Sequence, residues 1–271
     1  MLAYPVGGNP TQYLVERAFT DKDLDWRYLT FEVGPEDLAA AVGGLRALGF
    51  RGAHCADPHK QAVIPLLDRT SETAAVVGAV NFVFRDEGAL VGEDLEGRGV
   101  VEALRRVVDP AGKQVALLGA GRLARAAAVE LAVAGTAGLT IVNRTAARAE
   151  ELAALLAGKF ESPVSVAAWD GDYAVPPETE ILIHATSLDQ TADETPLPLV
   201  PESLRPELIV ADAAINPPQT WLLREAAQRG CKTIDGLSMF IEQVAIGLQL
   251  WTGVDPNRQV LREAAEEFLG L

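Results

Sequence analysis

The run Lys113-Gln-Val-Ala-Leu-Leu-Gly-Ala-Gly-Arg-Leu-Ala124 reads, in order, as a buried strand, a tight glycine turn and the first residues of a helix. Its first half is a short apolar run bounded by turn residues, the pattern of a parallel strand covered on both faces. Its second half, Gly119 to Ala124, matches G-x-G-x-x-G/A. There the first glycine makes the turn, and the second lets backbone N–H groups approach a pyrophosphate at a helix N-terminus. Glycine-rich turns are common. This one carries weight because a strand precedes it and an Ala/Leu/Val-rich stretch follows, as far as Ala134-Gly135. The expectation is a dinucleotide site built on Gly119, Ala120, Gly121, Arg122 and Leu123.

Working downstream, a second strand at Leu139-Thr-Ile-Val142 leads through Asn143-Arg144-Thr145 into an Ala/Glu/Leu-rich helix ending near Gly158. Further apolar strands stand at Glu180–Ile183 and Glu207–Ala211, separated by the proline-rich 195–201. Strands and helices alternating at this spacing predict an α/β fold, a doubly wound parallel sheet of Rossmann type over residues 101–236. Working upstream, candidate strands near Met1–Tyr4, Asp25–Thr30, Gly52–Cys55, Ala79–Phe84 and Ala89–Gly92 alternate with helices at Tyr13–Phe19, Pro35–Leu48 and Lys60–Leu67. They predict a separate N-terminal α/β domain over residues 1–100. The helical tail, 237–271, has no sheet partner of its own and is expected to return to that first domain.

The 271 residues carry 23 Lys+Arg against 38 Asp+Glu, a net charge of −15. Nucleic-acid and anionic-membrane binders rest on basic patches, so neither partner is expected. No apolar run approaches the roughly 20 residues of a membrane span, and Met1–Pro10 lacks the features of a signal peptide. A cytoplasmic enzyme, monomer or homodimer, working on a small molecule is the expectation. Cys55 and Cys231 are too few for a disulfide framework, and His54, His59 and His184 show no ligand spacing, so no metal is expected. Cys55 reads as small core filler, His59 as a helix-start residue and His184 as structural.

Cofactor choice is read at the end of the second strand, where an acid would hold the ribose 2′-hydroxyl of NAD. This sequence has Asn143, Arg144 and Thr145 there, with Arg148 one helical turn beyond Arg144. A guanidinium pair suits a 2′-phosphate, and no acid stands by to repel it. NADP is therefore expected.

Six segments in order along nearly the whole chain resemble the shikimate dehydrogenase family. They are Gly49-Phe-Arg-Gly-Ala-His-Cys-Ala-Asp-Pro-His-Lys60, Gly78-Ala-Val-Asn81, Gly92-Glu-Asp-Leu-Glu-Gly-Arg-Gly99, the glycine-rich turn, Asn143-Arg-Thr145, and Asp235-Gly-Leu-Ser-Met239 with Gln243. The resemblance implies a substrate domain and an NADP domain, and the reversible reduction of a cyclic ketone, 3-dehydroshikimate, by NADPH. It implies nucleotide contacts at Ala185, Thr186, Ser187 and Gly236. An enzyme of tetrahydrofolate metabolism shares the two-domain plan, but the Asp-Gly-Leu-Ser-Met and Pro-x-Lys segments fit the shikimate dehydrogenase pattern better.

By the same resemblance Lys60 aligns with the family's general acid/base and Glu96 with its aspartate partner, the pair being expected at the mouth of the cleft between the domains. Proton transfer to a carbinol oxygen suits a partly desolvated lysine, and the expected helix start after Pro58 disfavours its positive charge. Glu96 sits one methylene further out than an aspartate, and Asp94, in place of a neighbouring Asn, competes for the lysine. Asn81 matches a substrate-hydroxyl contact and Gln243 a contact near the reacting carbonyl.

The departures concentrate on one task. The family grips the shikimate carboxylate with two serines, a threonine and a tyrosine; the aligned residues are Gly7, Asn9, Ala56 and Ile215. A carboxylate buried without such donors costs several kcal/mol, on the order of 2 to 7 for a polar group left unpaired. Shikimate is thus expected to be a poor substrate, with Asn9, Thr11 and His54 available to a different polar group. His54 stands where the family has Asn, and a histidine there is expected to bind a different substituent or to titrate near neutral pH, the alternative being a satisfied polar residue between the domains. The alternative is a catalytically weak or silent homologue that binds a nucleotide or small ligand, although retention of Lys60, Glu96, Asn81 and Gln243 favours an enzyme.

Overall fold

The computed structural model describes residues 1–186 and 196–271. The chain divides into two compact units, residues 1–95 with 241–271 and residues 96–240.

In the first unit the elements run β1 (Leu2–Ala3), α1 (Thr11–Asp21), β2 (Phe31–Glu32), α2 (Leu38–Ala47), β3 (Gly52–His54), α3 (His59–Ala62), β4 (Arg69–Thr70), α4 (Glu72–Val77), β5 (Phe82–Asp86) and β6 (Ala89–Glu93). A mixed sheet of order β3-β5-β6-β4 is extended by the parallel pair β1-β2, because Leu2 bridges to Cys55 beside β3. Its apolar core gathers Leu2, Val42, Leu45, Val63, Val80, Val83 and Leu90.

Two expectations are corrected here. Asp25–Thr30 forms no strand; the ladder begins at Phe31, whose N–H donates to Met1 O at 2.9 Å. Before Phe31 the segment makes a single bond to this edge, from the Met1 amino group to Leu29 O at 2.5 Å, and no ladder. The helix expected over Lys60–Leu67 is a single turn, His59–Ala62, followed by a 3-10 turn at Ile64–Leu66. Pro65 is the reason, since it has no N–H to continue the helix and restrains the residue before it. A one-turn α3 has little dipole, so that part of the argument for Lys60 falls.

In the second unit α5 (Glu96–Arg105) precedes β7 (Gln114–Leu118), α6 (Arg122–Val133), β8 (Gly138–Asn143), α7 (Ala146–Leu156), β9 (Val164–Ala168), β10 (Ile181–His184), β11 (Ile209–Asp212), α8 (Trp221–Gln228) and β12 (Lys232–Ile234). The sheet order is β12-β11-β10-β7-β8-β9, and every pairing is parallel. This is the 3-2-1-4-5-6 order of a dinucleotide-binding sheet, with its switch point between β7 and β10. The strands β9 and β12 were absent from the sequence reading. Both are edge strands with half or more of their residues solvent-facing, so neither shows the continuous apolar run that marks β7, β10 and β11. Then α9 (Gly236–Thr252) starts in this unit and ends in the first, where α10 (Arg258–Leu269) packs on α1. Among the described residues no helix is long and apolar enough to cross a membrane.

Candidate active site

At the switch point of the parallel sheet, Gly119 leaves β7 with φ +124°, and a Cβ there would stand 2.7 Å from Ala185 O. Glycine at this position is therefore demanded by the protein itself. Gly121 is different. Its φ of −82° suits any residue, and a Cβ on it would meet nothing within 4 Å. No protein neighbour asks for glycine there, and the space in front of it is open. Gly121 caps α6 without a side-chain hydrogen bond, which leaves the first N–H groups of that helix directed at this space.

The space is a pocket of about 430 Å³ lined by Gly119, Ala120, Gly121, Arg122, Leu123, Asn143, Arg144, Arg148, Trp169, Ala185, Thr186 and Ala213. Three of these are arginines and none is a carboxylate, in a chain whose acids outnumber its Lys and Arg. Arg144 and Arg148 are exposed at the start of α7. Asn143 is fixed by its own amide, which donates to Thr145 O at 2.9 Å, and by its carbonyl, which accepts from Trp169 N at 3.2 Å. Thr145, the residue before α7, thus supports the pocket without lining it. Gly236 stands behind Ala213: a Cβ there would be 2.4 Å from Ala214 O and 2.5 Å from Ala213 O, so backbone packing accounts for this glycine. Ser187 lies outside the described residues. Trp169 and Ala213 were missed in the sequence. Trp169 follows the unrecognised β9, and its indole N–H donates to Pro198 O at 2.6 Å, a partner no local pattern reveals.

In the first unit Asn81 is a hub. It is 3% exposed; its Oδ1 accepts from Leu95 N at 2.8 Å, its N–H donates to Glu93 O and its carbonyl accepts from Cys55 N. The neighbouring Val80 N donates to Lys60 O at 2.7 Å, which ties the half-buried Lys60 on α3 to the same strand entry. Buried Asp94 lies between Glu93 and Leu95, both held by Asn81. The structure therefore brings Lys60, Asn81 and Asp94 together through the backbone. The Asn81 amide nitrogen is buried with no hydrogen-bond partner among the described residues, which is a costly state for a donor unless a ligand takes it. At the start of α1, Asn9 Oδ1 accepts from Thr11 N at 2.9 Å, so its oxygen is engaged locally, and Thr11 is buried. Gln243 is half-buried on α9 in this unit, and Glu96 half-buried at the start of α5 in the other.

His54 departs from expectation. Its ring packs among Tyr28, Phe82 and Trp251, with centroids 4.9 to 5.7 Å away, and its Nδ1 lies 2.6 Å from Tyr28 Oη. Burial pushes its pKa down to about 3, so it does not titrate near neutrality. Burial pushes the Cys55 thiol up to about 12, which keeps it inert. His59 is fully buried and bonds Val33 O through Nε2 at 2.8 Å.

A parallel sheet of this order with a glycine turn at its switch point and N–H groups facing an acid-free, arginine-lined pocket defines a dinucleotide-binding Rossmann protein. Residues 1–83 match the family model for the shikimate dehydrogenase substrate binding domain, 102–192 that for shikimate / quinate 5-dehydrogenase, and 236–266 that for the shikimate 5'-dehydrogenase C-terminal domain. The chain belongs to the shikimate dehydrogenase family, oxidoreductases that act on CH–OH groups. A shikimate dehydrogenase (NADP(+)) of Moorella thermoacetica is 41% identical over 100% of this chain and 92% of its own. A ligand-free 5-ketofructose reductase of Gluconobacter sp. strain CHM43 superposes with a TM-score of 0.95 at 42% identity, covering 98% of this chain and 96% of that one. A shikimate dehydrogenase in complex with NADP+ gives a TM-score of 0.88 at 33% identity over 98% and 93%.

Proposed function

We propose that the protein is an NADP-dependent reductase that interconverts a polyhydroxylated ketone and its alcohol, and that the ketone carries no carboxylate. The observation that carries the nucleotide assignment is the acid-free pocket with Arg122, Arg144 and Arg148 around the Gly121 opening. Its helix N-terminus suits a pyrophosphate and its exposed guanidiniums a 2′-phosphate. The substrate assignment rests on Gly7, Asn9, Ala56 and Ile215, which offer no hydroxyl where the family holds a carboxylate. The relative that reduces 5-ketofructose supports the same choice.

When bound, NADPH supplies the hydride. The chain's own part is to hold the ketone and to deliver a proton to its oxygen. We assign that proton to the Lys60 ammonium with Glu96 as its carboxylate partner, the first unit serving as substrate domain and the second as nucleotide domain. The buried Asn81 amide donates to a substrate hydroxyl, Asn9, Thr11 and Gln243 complete the polar contacts, and Asp94 neighbours the lysine. Lys60→Ala is expected to lower kcat by about 10²-fold or more, the usual share of general acid/base catalysis, with NADP affinity retained. Unchanged turnover in that variant would move the proton transfer elsewhere.

A further inference from the structure

Behind the nucleotide pocket, at the C-terminal ends of β10 and β11, lies a set of polar side chains apart from those assigned to proton transfer. His184 and Asp212 are register partners on adjacent strands, 1% and 0% exposed. His184 Nδ1 lies 3.1 Å from Asp212 Oδ1 and its Nε2 lies 2.5 Å from Thr186 Oγ1. Asp212 also accepts from Ala214 N at 3.1 Å and, through Oδ2, from the hydroxyl of Thr220 at 2.8 Å. Thr220 in turn caps α8. Burial works to raise the Asp212 carboxyl, and the bond and charge of His184, with the bonds from Ala214 and Thr220, overcome it, leaving the group below its ordinary range.

An ionised carboxylate only accepts, so Asp212 requires the His184 proton on Nδ1. The ring is thereby oriented, and its other nitrogen, Nε2, is held 2.5 Å from the Thr186 hydroxyl. The other branch of Thr186 is placed too, since the position a Gly119 Cβ would occupy is 3.0 Å from its Cγ2. Thr186 lines the nucleotide pocket beside Gly119 and Ala185.

We propose that His184 is a positioning residue for the nucleotide: held by Asp212, it fixes the Thr186 side chain so that the hydroxyl meets a polar group of the bound NADP. The proposal rests on the assignment of this pocket to NADP. It is the logic by which a buried acid sets the tautomer of a working histidine, applied to a binding hydroxyl.

Calorimetric titration of NADP into the full-length protein and its variants provides the first test. Thr186→Val, which keeps the shape and removes the hydroxyl, is expected to weaken NADP binding about three- to tenfold, the value of one neutral hydrogen bond. Thr186→Ser is expected to restore it. In a His184→Leu background Thr186→Val is expected to cost little more, because the hydroxyl it removes is no longer aimed. Nitrogen NMR of the unmodified protein provides a second test that needs no variant to fold: His184 is expected to carry a proton on Nδ1, toward Asp212. Unchanged NADP affinity in Thr186→Val, full additivity with His184→Leu, or an Nδ1 without a proton would each overturn the proposal. Failure of the unmodified protein to bind NADP would overturn the nucleotide assignment instead, and the tautomer would still report on the buried network.

Discussion

Arg144 and Arg148 stand exposed at the rim of a pocket that has no carboxylate among its lining residues, in a chain of net charge −15. A phosphate there is attracted by the local guanidiniums against the sign of the whole molecule, and the preference falls as salt screens it. Arg144→Ala is expected to weaken NADP about tenfold, the lower range for a charge-assisted bond at an exposed site, while NAD affinity changes little; equal affinity of the unmodified protein for both nucleotides would contradict the assignment. His54 makes a different residue-scale prediction. Its pKa is pushed down to about 3 by burial, from an ordinary 6.5. Between those values the unfolded chain takes up a proton that the folded chain refuses, so the contribution is complete above pH 6.5 and is lost as pH falls toward 3. Chemical denaturation from pH 7 to 4 is expected to show a steeper loss of stability in the unmodified protein than in His54→Asn, by up to one proton or about 1.4 kcal/mol per pH unit. Parallel pH profiles would show that the ring is not shielded as its aromatic neighbours indicate. The near-neutral titration expected of His54 missed its surroundings, because Tyr28 and Trp251 come from distant segments and meet it only in the folded unit.

At the scale of elements, the turn between β7 and α6 separates two demands that the motif writes with the same letter. Gly119 has a positive φ and no room for a Cβ, whereas Gly121 has an ordinary φ and open space. Gly119→Ala is therefore expected to cost about 1 to 3 kcal/mol of stability. Gly121→Ala is expected to leave the melting temperature nearly unchanged and to weaken NADP by about tenfold or more, equivalent to roughly 1.4 kcal/mol. Thermal melts with and without NADP separate the two; a destabilised Gly121→Ala with normal nucleotide affinity would contradict the reading. The β7-α6-β8 core of this domain was legible because strands buried on both faces write themselves as apolar runs. The edge strands β9 and β12 were not, and the loss carried Trp169 with it, since a pocket residue at the end of an unrecognised strand has no visible context. Pro65 was visible and its consequence is local: it reduces the expected helix after Pro58 to one turn, which leaves Lys60 placed by the Val80 to Lys60 backbone bond rather than by a helix end.

For the whole molecule, the chain carries Lys60, Glu96, Asn81 and Gln243, to which the proposal gives proton transfer and substrate contact, and it has Gly7, Asn9, Ala56 and Ile215 where the proposal would need hydroxyls to hold a carboxylate. The proposed reaction is therefore one kept on a substrate without a carboxylate. Two lost donors to a charged group already cost about 3 to 6 kcal/mol, a factor of at least ~10² in specificity. The most direct test is the steady-state oxidation of NADPH by the unmodified protein, with 5-ketofructose and 3-dehydroshikimate compared side by side. The account predicts a kcat/KM for the uncharged keto sugar at least ~10²-fold above that for the carboxylate. A kcat/KM for 3-dehydroshikimate equal to or above that for the keto sugar would contradict it.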